Sequence, residues 1–79
     1  MATETAREIL QELQDLRQEE KGLRQEADEA IEQVRINVGL GNHDIAREWG
    51  ETLVVILTEL EENKLKQYPL IIEQHEGNN

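Results

Sequence analysis

The sequence has 79 residues with no cysteine, one proline and two aromatic residues, Trp49 and Tyr68. Without cysteine no disulfide can stabilise the chain, and this absence fits a reducing compartment. Two aromatic side chains are too few for a surface that stacks single-stranded bases. The longest apolar run, 53–57, is far too short to span a bilayer, and residues 1–5 lack the basic and apolar regions of a signal peptide. We therefore expect a cytoplasmic protein that does not associate with membranes.

Positive charge is also scarce, because 8 basic residues stand against 18 acidic ones and give a formal net charge of −10. Such a chain repels the phosphate backbone, so direct nucleic-acid binding is not expected. The excess of carboxylates instead suits a basic protein partner or a divalent cation, which prefers oxygen ligands.

The residues that are present favour long helices. Apolar residues recur at intervals of three and four over 6–34, with Glu20 as the one polar interruption. This stripe predicts a first helix over about 5–37. Because a glycine weakens a helix by roughly 1 kcal/mol, a bend or break near Gly22 is the alternative.

Several local signals predict where the helices begin and end. Residues 5–8 match a capping box, and the two glycines within 39–42 can adopt positive φ and form a turn. A second helix is expected over about 43–67. The residue before a proline avoids the α region, so Pro69 should end that helix and leave 70–79 as a tail with a frayed end.

The second helix carries more apolar surface than one neighbour can cover. Its predicted core stripe is Ala46, Trp49, Leu53, Ile56 and Leu60. Around 53–57 it is apolar on every side, so either the tail residues 70–72 or another subunit must cover the remaining faces. We expect one all-α domain over 1–79, with a core of about 5–69. Its hairpin would be completed into a four-helix-type bundle in a homodimer or homotetramer.

Four glutamates, Glu26, Glu29, Glu48 and Glu51, form two pairs at i, i+3 spacing. Each pair lies on one face of its helix. Pairing Glu26 with Glu51 and Glu29 with Glu48 centres the hairpin within a residue or two of the glycine turn. Like charges 4 Å apart repel by about 4 kcal/mol at an effective dielectric of 20, and a divalent cation would remove that repulsion. The alternative is that these glutamates are solvated surface residues of an acidic chain.

Three segments resemble the MazG-like all-α nucleoside triphosphate pyrophosphohydrolases. Residues 23–32, LRQEADEAIE, are similar to the first signature of that family, Glu-Glu-x-x-Glu on a helix. Residues 47–57, REWGETLVVIL, resemble the second, Glu-x-x-Asp before an apolar helix. Residues 63–69, NKLKQYP, are similar to the segment ending in Tyr-Pro that closes these domains. Two positions depart from the pattern: Gln25 replaces a Glu, and Glu51 replaces an Asp.

The resemblance implies a metal-dependent hydrolysis of a nucleoside triphosphate to a monophosphate and pyrophosphate. The implied ligands of Mg²⁺ or Mn²⁺ are Glu26, Glu29, Glu48 and Glu51. The metal would activate a water, and Glu29 would take its proton. The implied substrate contacts are Lys64 and Lys66, with Arg47, for phosphate and Trp49 for the base. The alternatives are solvated basic side chains and a Trp49 packed in the core.

Two non-catalytic functions fit the same sequence. A small acidic helical protein can occupy a basic site on a partner as a nucleic-acid mimic, and such binding would weaken with salt. Alternatively, the first helix can form the seam of a structural coiled-coil oligomer, which Glu20 and the seam alanines would weaken.

Overall fold

The computed structural model describes residues 2–77, which form two α-helices joined by a short turn. Helix α1 comprises Ala2–Gly39 and helix α2 comprises His43–Gly77. The helices pack against each other as a hairpin, in a rod of 59 × 15 × 14 Å. Within residues 2–77, neither helix has a stretch long and apolar enough to cross a membrane. The all-α helical hairpin predicted from the sequence is confirmed.

One narrow seam holds the two helices together. Along each helix, the residues that are buried or half-buried recur at intervals of three and four, as in an antiparallel coiled coil. Its apolar centre consists of Leu23, Ala27, Ala30 and Ile56, with Trp49, Leu53 and Leu60 packed against it. The predicted core stripe of α2 is confirmed, and that of α1 is confirmed from Ile9 to Val34, whereas Ala6 is exposed. The small alanine side chains allow the two backbones to lie close together at this level.

Helix α1 is continuous through Gly22, so the predicted single long helix is confirmed and no break occurs there. Its start differs from the prediction. The helix already includes Ala2, and the expected capping box at Thr5 and Glu8 lies inside it rather than at its end. Extending an existing helix by a residue adds a backbone hydrogen bond without a new nucleation step, so residues before a capping signal can still join.

The turn between the helices is a Schellman motif centred on Gly41, which has a φ of 78°. The N–H of Asn42 donates to the carbonyl of Asn37 at 2.8 Å, and the N–H of Gly41 donates to that of Val38 at 3.1 Å. The carbonyl of Asn42 accepts from the N–H of Ala46 at 2.9 Å and so begins α2. The turn therefore both ends α1 and starts α2.

Helix α2 does not end before Pro69, so the predicted boundary near residue 67 is wrong. The ring removes one helical hydrogen bond, but Pro69 is exposed and water can bind the carbonyl left free. Beyond it, Leu70 and Gln74 are half-buried and continue the seam. Of the predicted 70–79 tail, the part up to Gly77 is helical, and the last two positions lie outside the described residues.

Candidate functional site

The four predicted metal ligands, Glu26, Glu29, Glu48 and Glu51, are all exposed. The predicted pairing of these glutamates needs a turn centred between residues 38 and 39, but the turn centres on Gly41. The residue that faces each glutamate is therefore displaced by roughly 7 Å along the helix axis from its predicted partner. Among residues 2–77, no three His, Asp or Glu side chains lie close enough together to hold a metal ion. The four-glutamate site stays a prediction, and the described chain by itself does not bring its members together.

The predicted substrate-binding residues lie in different environments. Arg47 is exposed and its Nε lies 3.6 Å from Oε1 of Glu51, one turn along α2. Lys64 is half-buried, whereas Lys66 is exposed. Trp49 packs against the apolar centre of the seam, which supports the packing alternative for this residue. These four side chains therefore do not form one surface for a nucleotide within the described chain.

A cluster of buried polar side chains interrupts the apolar seam near its middle. Glu20 is 8% exposed, and Asn63 and Gln67 are each 2% exposed. The side-chain amide of Asn63 donates to the carbonyl of Leu16 at 2.9 Å. The amide of Gln67 donates to Oε1 of Glu20 at 3.0 Å and also to the side-chain oxygen of Asn63. These bonds join α1 to α2 at one defined alignment of the helices.

Two cations complete this polar cluster. Oε2 of Glu20 lies 2.8 Å from Nη2 of Arg24 and 3.0 Å from Nζ of Lys64. The hydrogen bond from Gln67, then that from Lys64 and the nearby positive charges, lower the pKa of Glu20 despite its burial. The cluster therefore holds an ionised carboxylate within the seam, with every buried polar side-chain atom of the described residues hydrogen-bonded.

Only part of the polar cluster was visible in the sequence. Glu20 stands out as the polar interruption in the stripe of α1. Its partners Asn63 and Gln67 occupy seam positions of α2, at the three-and-four spacing that continues from Leu60. Extending that spacing past Leu60 would have placed both amides opposite α1, but it could not have identified which side chain each one contacts.

A surface cavity of about 530 Å³ lies beside the polar cluster and is lined by eight charged or amide side chains from both helices. We call it the basic cavity because four of these side chains are cationic: Arg17, Lys21, Arg24 and Lys64. Two are acidic, Glu20 and Asp28, so the lining carries a net positive charge on a chain whose net charge is negative.

The face of α2 that points away from α1 is the second unusual surface. Five exposed residues on this face follow alternating four- and three-residue intervals, with Glu61 at the remaining position between Thr58 and Leu65. We call these five the outer stripe: Val54, Thr58, Leu65, Tyr68 and Ile72. The hydroxyl of Thr58 donates to the carbonyl of Val54 at 2.9 Å and needs no other partner. The equivalent outward positions of α1 are polar: Gln11, Gln18, Gln25 and Glu32. Only α2 thus presents a long apolar face to solvent.

No protein-family model, no curated protein and no solved structure matches this chain. The likeness of its three short segments to the MazG-like pyrophosphohydrolases accordingly stays a prediction.

Proposed function

We propose that this protein is a non-catalytic helical assembly module, in which the outer stripe of α2 binds the outer stripe of a second copy. The observation that carries the proposal is the exposure of large apolar side chains at helical spacing along that stripe. Val54, Leu65, Tyr68 and Ile72 are each more than half exposed. Large apolar side chains exposed together along one helix face are typical of a protein interaction site.

The shape of the stripe favours a second copy as the occupant. It extends along one continuous helix from Val54 to Ile72, and a helix of similar length with an apolar face covers it best. Another α2 has that length and that face. Two α2 helices packed together give a four-helix arrangement, with the polar outer face of each α1 left in water.

The limited core of the hairpin also supports assembly. The buried apolar side chains among the described residues are few and three of them are alanines: Leu13, Leu23, Ala27, Ala30, Ala46 and Ile56. Domains of this size bury too little apolar surface for high stability as monomers. Covering half-exposed aliphatic side chains contributes about 1 kcal/mol each before the cost of association, so a second copy would add to the stability of the hairpin.

The experiment is sedimentation analysis over a wide range of protein concentration, with one variant on each outer face. Leu65→Lys places a charge on the outer stripe, and Gln18→Lys places the same charge at the equivalent outward position of α1. We expect the wild type and Gln18→Lys to dimerise or tetramerise alike, and Leu65→Lys to dissociate at least tenfold more readily.

A wild-type monomer at every concentration would overturn the proposal, even if the protein were found to bind a basic partner. Equal effects of the two substitutions would also overturn it. Both residues are exposed, so circular dichroism should show that the helices are retained in both variants.

A second candidate is the metal-dependent pyrophosphohydrolase suggested by the sequence resemblance. The observation that favours it is that Glu48 and Glu51 lie exposed on α2 just before the outer stripe. Assembly through that stripe would bring them towards carboxylates of another copy, and Mg²⁺ or Mn²⁺ would relieve the repulsion. Glu26 and Glu29 would have to come from the same assembly.

This candidate is tested by thermal unfolding with and without Mg²⁺ or Mn²⁺, together with pyrophosphate release from nucleoside triphosphates. Metal held at the predicted site should raise the melting temperature of the wild type and of a Glu59→Gln control, but much less that of Glu51→Gln. Absence of both pyrophosphate release and a metal-dependent shift would end the enzyme proposal.

A further inference from the structure

We infer that the basic cavity is a binding site for a small oxyanion of the phosphate class. The inference goes beyond the proposed assembly function, because the cavity shares no residue with the outer stripe. It stands on the convergence of cationic side chains from two helices at one concave place. Of the 8 basic residues in the chain, four line this cavity.

The cations of the cavity are not all neutralised within the hairpin. Arg24 and Lys64 share the single carboxylate of Glu20. Arg17 and Lys21 make no salt bridge within the part of the chain that the structure describes. The spacing of Arg17, Lys21 and Arg24 places them along one side of α1, where they can approach one ligand together. An anion would thus meet two unpaired cations and two shared ones.

The lining also limits the kind of ligand. All eight of its side chains end in a charged or amide group, so a ligand there meets mainly hydrogen-bonding groups. Arginine donates two parallel hydrogen bonds to phosphate oxygens, and lysine adds a compact charge. A phosphate or diphosphate group matches this donor set in charge and in the hydrogen bonds that its oxygens accept.

The net charge of the whole molecule favours a small ligand over a polyanion. With a net charge of −10, the protein repels a long phosphate backbone outside the cavity. At physiological ionic strength the screening length is about 8 Å, so a small anion inside the cavity responds mainly to the nearby cations. A free phosphate compound is therefore favoured over a nucleic acid that carries the same group.

The experiment titrates the full chain with inorganic phosphate, and separately with pyrophosphate, while backbone amide NMR signals are followed. Shifts are expected for residues 17–28 and 64–67, and sodium chloride at equal ionic strength should not reproduce them. Arg17→Gln and Lys21→Gln should each weaken binding about three- to tenfold. Arg35→Gln, which removes an arginine paired with Glu32 outside the cavity, should leave it unchanged.

Asp28→Asn gives a test of opposite sign. It removes a negative charge from the lining without touching the bonds of Glu20, and it should strengthen binding by a similar factor. Phosphate shifts that are absent, equal to those of chloride, or unaffected by the Arg17, Lys21 and Asp28 substitutions would overturn the inference. Tighter binding of a short single-stranded oligonucleotide than of pyrophosphate would overturn the assignment to a small ligand.

Discussion

Glu20 replaces an apolar side chain in the seam and helps to fix the alignment of α1 with α2. It occupies a seam position where Leu13 and Leu23 set an apolar pattern, yet it is buried and ionised among Gln67, Lys64 and Arg24. A buried ion pair of this kind adds little net stability, because desolvation offsets most of the attraction. Its effect is on register, since sliding α2 along α1 would leave a buried charge without its partners.

The lowered pKa of Glu20 predicts acid sensitivity. A carboxyl with a lower pKa in the folded state stabilises the fold above its ordinary pKa of 4.5, and that contribution is lost as pH falls through the lowered value. Glu20→Gln should cost about 1–3 kcal/mol of unfolding free energy at pH 7, and the cost should be smaller at pH 3, below the ordinary pKa of the carboxyl. Urea denaturation at the two pH values measures both quantities.

Glu26→Gln is the matched control, because Glu26 lies on the same helix but is exposed. It should leave the unfolding free energy at pH 7 nearly unchanged and keep the acid sensitivity of the wild type. If Glu20→Gln and Glu26→Gln gave the same stability at both pH values, the polar cluster would not stabilise the hairpin at neutral pH.

Among residues 2–77, Gly41 is the one whose backbone demands glycine, with a φ of 78° that other residues adopt at a cost of roughly 1–2 kcal/mol. Gly41→Ala should destabilise the hairpin by about that amount in thermal or urea unfolding. Gly39→Ala makes the same chemical change within helix α1, where open space surrounds the new Cβ, and should be neutral or stabilising. The opposite ranking of the two variants would contradict the Schellman turn.

Helix α2 contains Pro69, which favours the end of a helix, yet seam residues on both sides of it favour continuation. Pro69 would end an isolated helix, but Leu70 and Gln74 regain contact along the seam. Tertiary packing against the first turns of α1 thus outweighs the lost hydrogen bond, which is how most helices in proteins are stabilised.

Pro69→Ala should therefore stabilise the hairpin by about 1–3 kcal/mol, since it restores the N–H and relieves the ring contact within the helix. Glu62→Ala, at the same outward position one heptad earlier, is the control and should change stability by less than about 0.5 kcal/mol. Unfolding by urea measures both. A loss of stability in Pro69→Ala would mean that the proline bends α2 into its packing position.

For the whole molecule, charge and apolar surface act in opposite directions on assembly. Two copies that each carry a net charge of −10 repel each other, while the outer stripes attract. Salt screens the repulsion and leaves the apolar contact, so raising sodium chloride from about 20 to 300 mM should strengthen self-association several-fold. Sedimentation at the two salt concentrations measures the effect. Weaker association at high salt would instead indicate attraction between opposite charges at the interface.

Local patterns in the sequence determined much of this structure. The three-and-four spacing of apolar residues required two amphipathic helices, and the glycines near residue 40 required a turn between them. The excess of exposed apolar positions around 53–57 was also visible, because periodicity alone shows how many faces of a helix are apolar. These features depend on residues that are close together in the sequence, so they can be predicted from the sequence alone.

Only the tertiary structure decided what depends on the exact alignment of the two helices. The centre of the turn at Gly41 shifted the facing positions, so the four glutamates point to solvent instead of towards one another. The same alignment placed Gln67 and Lys64 on Glu20 and gathered cations around one cavity. The seam also carried α2 through Pro69, because packing energy is shared along both helices, whereas a local stop signal acts at one residue.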